Sequence, residues 1–241
     1  MIITKTPYRI SLFGGGTDHP SWYKKHGGEV ISFAIDKYCY ISTRILPPFF
    51  DHKYRIAYSK VETVNDFKKI LHPVVREAIR KFSPNLSLEI HHDGDLPARS
   101  GLGSSSSFTV GMLNALNALQ GKHISKNDLA KQAIFIEQKV LNENVGCQDQ
   151  IAAAYGGFNK IEFFSENSFK VSRVILKRCK ALKFSQSLPI NRSFLSLCSV
   201  TTNKYSPWFV TWCSLMVDRF PSKGNKYSPC LISVKVESNR V

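Results

Sequence analysis

The sequence predicts an α+β domain. Two observations carry that prediction: extended, alternating segments fill residues 2–58, and Pro-free stretches with helical spacing follow between 104 and 154. A hydrophobic content of 43% against 21% charged residues, over 241 residues, supplies enough apolar surface for a sizeable core.

The elements follow in order. Ile2–Phe13, Glu29–Ile35, Tyr38–Leu46 and Tyr54–Tyr58 read as strands, with alternation clearest from Tyr38 to Ile45. His72–Phe82 reads as a short helix with Val75, Ile79 and Phe82 on one stripe, and Leu86–His92 returns to strand. A loop from Leu96 to Ser107 then feeds a helix through the Leu- and Ala-rich run Phe108–Leu119. The next helix starts at Ser125, whose Ser-x-x-Asp spacing to Asp128 resembles a capping box; Leu129, Ala133, Ile136 and Val140 give it an apolar stripe. Asn142–Asp149 turns into a small-residue helical stretch, Gln150–Ala154, and Gly156-Gly157 end it before a strand at Phe158–Phe163.

Composition excludes several classes. No run approaches the ~18 apolar residues of a membrane span, and the N-terminus lacks the pattern of an export signal, so a soluble, cytoplasmic protein without a membrane partner is expected. Six cysteines without a Cys-x-x-Cys pair read as free thiols rather than a zinc site or disulfide framework. His91-His92 lacks metal-ligand spacing and reads as surface histidines, and no Gly-x-Ser-x-Gly elbow supports hydrolase chemistry.

The net charge of +15 would point to nucleic acid, but its distribution argues against that partner. Residues 1–177 carry +7 and residues 178–241 carry +8, so more than half the excess sits in about a quarter of the chain. That tail also holds four of the six cysteines and two of the three tryptophans, and Pro189, Pro207, Pro221 and Pro229 interrupt every run. It is read as an out-of-frame or disordered tail following a domain at 1–177; an unusual but genuine C-terminal domain is the other reading.

The Ser/Gly loop carries the most chemistry. Glycines let backbone approach a phosphate, consecutive N–H groups form an anion nest, and the following helix dipole favours negative charge. Hydroxyls at Ser104, Ser105, Ser106 and Ser107 can add hydrogen bonds or ligate magnesium; on spacing alone a flexible helix cap is the equal alternative. Phosphoryl transfer also needs a carboxylate for the metal and a group to handle the acceptor proton, and Glu137 and Asp149 are the carboxylates in context.

Three ordered segments resemble the GHMP kinase superfamily, the galacto-, homoserine, mevalonate and phosphomevalonate kinases. They are Lys5-Thr6-Pro7-Tyr8-Arg9-Ile10-Ser11-Leu12-Phe13-Gly14-Gly15-Gly16-Thr17-Asp18, the loop Pro97–Ser107, and Val145-Gly146-Cys147-Gln148-Asp149-Gln150. The resemblance covers residues 1 to about 177 and is strongest to the heptose-phosphate kinases. It implies an α+β GHMP N-terminal domain with the C-terminal GHMP domain largely missing, because no glycine-rich third motif follows. It further implies ATP- and Mg2+-dependent transfer of the γ-phosphoryl group to a small sugar phosphate, with the anomeric hydroxyl of D-glycero-D-manno-heptose 7-phosphate as acceptor. A truncated, inactive remnant that at most binds nucleotide is the alternative.

The same resemblance implies roles by position. Pro97, Ser100, Gly101, Leu102, Gly103 and Ser104 to Ser107 would wrap the ATP phosphates, and Ser105 with Glu137 would hold magnesium. Asp149 would orient or deprotonate the acceptor hydroxyl, with Arg9 stabilising charge at the transferring group. Asp18, Thr17, Gly15 and Gly16 would face the sugar. Galactokinases have Gly-Glu-His-Thr-Asp where this chain has Gly14-Gly15-Gly16-Thr17-Asp18, so a substrate already carrying a phosphate suits the glycine run better than galactose, with Lys5 and Arg99 as possible assistants.

Overall fold

A mixed sheet covered by helices forms the described body, Met1–Arg173. The computed structural model describes residues 1–175 apart from 84, 99 and 165–167, so Arg99 and the expected tail at 178–241 lie outside the described residues.

The strands are β1 (Ile2–Phe13), β2 (Gly28–Ile45), β3 (Tyr54–Ala57), β4 (Val61–Val64), β5 (Leu88–Gly94), β6 (Phe158–Phe163) and β7 (Phe169–Arg173). They pair in the order β4-β3-β5-β2-β6-β7, with β1 antiparallel along β2 and only β3–β5 parallel. The helices are α1 (Pro20–His26), α2 (Pro73–Phe82), α3 (Ser104–Leu119), α4 (Lys126–Phe135) and α5 (Gln148–Tyr155), with a π-helical turn at Ile136–Val140 continuing α4.

The two strands expected at 29–35 and 38–46 are one strand, β2. Asp36-Lys37 is not a turn but part of a bulge: β1 pairs Pro7 with Tyr38 and then Arg9 with Ala34, so three β2 residues oppose Tyr8 alone. Pro7 has no N–H to give a ladder, which makes this the natural place for the irregularity. The bulge matters because Arg9 is the next residue, and bulges re-aim the side chains beside them.

Helix α3 sits over β1 and β2 and is buried nearly all round, through Phe108, Val110, Met112, Leu113 and Leu116. Its close approach depends on Gly111, where a Cβ would lie 2.8 Å from Thr6 Oγ1. Thr4 Oγ1 donates to the Gly111 carbonyl at 3.0 Å, and Ser107 Oγ donates to the Pro7 carbonyl at 2.9 Å. The start of α3 is thereby pinned to β1. On α4, Ser125 caps as its spacing predicts, its Oγ accepting from Asp128 N at 3.1 Å.

Alternation along β5 separates the two histidines. His91 pairs outward with Glu89, whereas His92 turns in against Phe108, with ring centroids 5.0 Å apart. His92 is therefore half-buried rather than a fully exposed surface residue, and burial lowers its pKa. Cys39 and Cys147 are buried free thiols. Among the described residues no helix is long and apolar enough to cross a membrane.

Candidate active site at the start of helix α3

The loop before α3 is solvent-facing at Pro97, Ser100 and Gly101, as a ligand-wrapping loop must be. Gly101 and Gly103 have φ of +77° and +74°, a region L side chains rarely adopt. Gly103 is the N-cap of α3, and no side chain caps the helix. The first N–H groups of Ser104, Ser105 and Ser106 therefore have no intrahelical acceptor, which leaves donors and the positive dipole end for an anion.

Arg9 reaches this corner from β1. Its backbone N–H donates to the Leu102 carbonyl at 3.1 Å and its Nη1 to the Gly101 carbonyl at 2.9 Å. Its Nε and Nη2 donate to the two oxygens of Asp149, each at 2.7 Å. This bidentate, charge-assisted pair fixes both planes. A Cβ on Gly103 would lie 3.3 Å from Arg9 Cγ and 3.4 Å from Asp149 Oδ2, so the helix start, the arginine and the carboxylate are in contact. Burial pushes the Asp149 carboxyl up, the Arg9 guanidinium pulls it down, and the nearby Asp18 adds a smaller push; the net direction is up.

Glu137 lies in the π-helical turn and is 1% exposed. Its Oε2 accepts from Ser106 Oγ at 2.9 Å and from Gln150 Nε2, while Oε1 has no hydrogen-bond partner. Burial raises its pKa, against the lowering influence of the Thr109, Gln150 and Ser106 side chains. The hydroxyl bonded to Glu137 is thus that of Ser106, and Ser105 is the exposed neighbour. The reason is helical geometry: adjacent residues point about 100° apart, so Ser105 and Ser106 cannot both face α4.

The glycine-run loop is braced from inside. Asp18 is 1% exposed; Oδ1 accepts from Gly16 N at 3.0 Å and Oδ2 from Gln148 N at 3.2 Å, while Cys147 N donates to the Asp18 carbonyl at 3.1 Å. Gly146 must lack a side chain, since its Cβ would lie 1.7 Å from Asp18 Oδ2. Thr17 Oγ1 bonds the Gly14 and Glu29 carbonyls and accepts from Glu29 N. Asp18 and Thr17 thus hold the loop in place, whereas Gly15 and Gly16 are the members that face solvent. Lys5 is elsewhere, its ammonium 3.8 Å from the Tyr38 ring centroid.

The expected residues therefore converge: Arg9, Gly101–Ser107, Asp149 and the Gly15-Gly16 loop meet at one corner, with Glu137 behind Ser106. Gln148 and Gln150 were not singled out by sequence reasoning, their place beside Asp149 being the available signal, and Ser106 was expected among the phosphate-loop hydroxyls but not as the partner of Glu137. A cavity of about 360 Å³ lined by Met1, Ser42, Thr43, Arg44, Glu89, His91 and Asp93 contains none of the expected site residues.

A glycine-shaped, uncapped helix entry touching a bidentate Arg–Asp pair defines a domain able to hold an anion at this corner. Residues 67–157 match the profile of the GHMP kinases N terminal domain, and the described body has the GHMP kinase N-terminal fold. The chain is 33% identical over 188 residues to a D-glycero-alpha-D-manno-heptose 7-phosphate kinase from Campylobacter jejuni, covering 73% of this chain and 55% of that protein. It is 26% identical over 155 residues to a galactokinase from Thermosipho africanus, covering 63% of this chain and 42% of the relative. A crystal structure of a D-glycero-D-manno-heptose 1-phosphate kinase from Bacteroides thetaiotaomicron superposes with a TM-score of 0.67 at 28% identity, covering 73% of this chain and 61% of that one. The chain spans about half the length of these curated relatives.

Proposed function

We propose that this chain carries the ATP-binding and catalytic half of a sugar kinase, transferring the γ-phosphoryl group of ATP to a sugar phosphate of the heptose type. The observation that carries the reading is the Arg9–Asp149 pair seated against Gly103 at the uncapped start of α3. Gly101–Ser107 cradles the phosphates with backbone N–H groups and the helix dipole. Asp149 accepts the proton of the attacking hydroxyl; a carboxylate pushed up by burial is a better base than an exposed one. Arg9 holds Asp149 in one orientation and places positive charge beside the transferring group.

Magnesium fits the residues present. A buried glutamate with one unpartnered oxygen is an unfavourable arrangement unless a cation or donor completes it. Glu137 would hold the ion with Ser106, the hydroxyl on its side of α3, rather than with the outward-facing Ser105 that the resemblance implied; the ion would neutralise charge on the phosphate oxygens.

The acceptor is the finer part of the proposal. The two heptose kinases are named for opposite phosphate positions, the 7-phosphate and the 1-phosphate. We favour D-glycero-D-manno-heptose 7-phosphate, phosphorylated at the anomeric hydroxyl, on the higher identity of the first relative.

The test is ATP turnover by the purified chain with magnesium, with and without heptose 7-phosphate. Sugar-stimulated ADP release is expected. Nucleotide binding with no turnover under any acceptor would replace this reading with a nucleotide-binding domain that does not transfer.

A further inference from the structure

Gln148 is the first residue of α5 and the neighbour of Asp149, and its backbone is fixed by the bond from its N–H to Asp18 Oδ2 at 3.2 Å. Its side-chain Oε1 is buried and has no hydrogen-bond partner. The amide faces the place where Gly15 lacks a side chain: a Cβ there would lie 3.8 Å from Gln148 Nε2 and 4.0 Å from Ser11 Oγ. Next to it Gly16 is open, with nothing within 4 Å of where its Cβ would stand. A half-buried primary amide needs partners for its carbonyl and its NH2; here the NH2 is the group nearest the Gly15 gap, and the protein supplies no partner for the carbonyl. A polyol brings hydroxyls that both donate and accept.

We propose that the Gln148 amide is a specificity-determining sugar ligand, bonding a hydroxyl next to the one that Asp149 deprotonates, in the gap that Gly15 leaves. This rests on the kinase reading and adds to it a residue that reads the acceptor rather than the nucleotide. Gly15 is part of the same device. Its φ is not left-handed, so the glycine is not required by the turn, and what it contributes is room. Discrimination here has a physical basis, because a site built to hydrogen-bond a hydroxyl rejects a ligand that lacks it more strongly than an apolar pocket rejects an extra methylene.

The experiment measures steady-state kinetics of the full chain with ATP and D-glycero-D-manno-heptose 7-phosphate for the unaltered protein, Gln148→Leu and Gly15→Ala, with thermal melts of each. Gln148→Leu keeps the volume and removes the amide; the sugar KM should rise roughly tenfold or more while the KM for ATP stays within about twofold. Gly15→Ala adds a methyl at ordinary contact distance, should melt like the parent, and should also raise the sugar KM alone. An unchanged sugar KM in both folded variants, or sugar and ATP constants moving together, overturns the proposal and leaves the kinase reading intact. An unaltered chain that shows neither sugar-stimulated turnover nor heptose-phosphate binding by calorimetry overturns both.

Discussion

Glu89 and Glu137 are both buried carboxylates, 5% and 1% exposed, and the protein treats them in opposite ways. Glu89, on β5, accepts from Arg44 on β2, Arg55 on β3 and His91 on its own strand. Burial alone would raise its pKa, but hydrogen bonds from His91, Arg55 and Arg44 bring it from 4.5 down to about 2. Among the described residues Glu137 has no paired cation; Ser106 and Gln150 serve one oxygen, the other has no partner of good hydrogen-bond geometry, and burial raises its pKa against the neighbouring Thr109, Gln150 and Ser106 side chains. A carboxylate that ties strands together is supplied with cations from the same fold. One left short of them at a helix start is suited to a cation from outside, and the contrast separates architecture from site.

The largest expected effect tests the site itself. Asp149→Asn keeps shape but cannot accept the proton, so turnover should fall by roughly 10² to 10⁴ while ATP affinity is nearly unchanged; a variant with full rate removes Asp149 from the chemistry. The paired substitutions test the comparison directly. Glu137→Gln should leave metal-free stability equal or higher, since it relieves a buried charge, and should abolish the rise in Tm produced by ATP with magnesium. Glu89→Gln should lower the urea midpoint and leave the magnesium response alone. Reversed results would exchange the two roles.

Gly103→Ala sharpens the account of the corner. The φ of +74° costs about 1–2 kcal/mol with a side chain, and the added methyl would press Arg9 Cγ at 3.3 Å. A loss of turnover larger than the loss of stability is expected, measured by kcat alongside denaturant melts. The smallest effect is on pH. Glu89 protonates more easily in the unfolded chain than in the folded one, so its stabilisation is full above about pH 4.5 and fades as the pH falls toward 2. A shift of that size is worth about 3 kcal/mol unscreened. Arg44 and Arg55 are 47% and 38% exposed, which reduces it to on the order of 1 kcal/mol. The difference in urea midpoint between the parent and Glu89→Gln should shrink from pH 7 to pH 3.

Much of the fold is legible from local pattern. Strands at 2–13 and 158–163 and the Ser125 cap stand where alternation and capping chemistry place them. The missed elements are short: the seven-residue α1 opening at Pro20, the four-residue β4 and the five-residue β7. Pieces of that length have too few residues to establish a period. The fused β2 was missed because a bulge opposite Tyr8 looks, in sequence, like a turn.

The sequence by itself determined the chemistry available: a glycine-serine helix entry, an arginine in the first strand, and two carboxylates, because composition and helix starts are set by neighbours along the chain. Only the tertiary structure decided the pairings. Arg9 finds Asp149 across 140 positions, Glu137 takes Ser106 rather than Ser105 across 31, and Asp18 turns inward to backbone amides rather than outward. Those choices depend on which face of α3 meets α4 and how closely Gly111 lets α3 approach β1. Contacts of that kind are fixed by packing in three dimensions, and no local spacing encodes them.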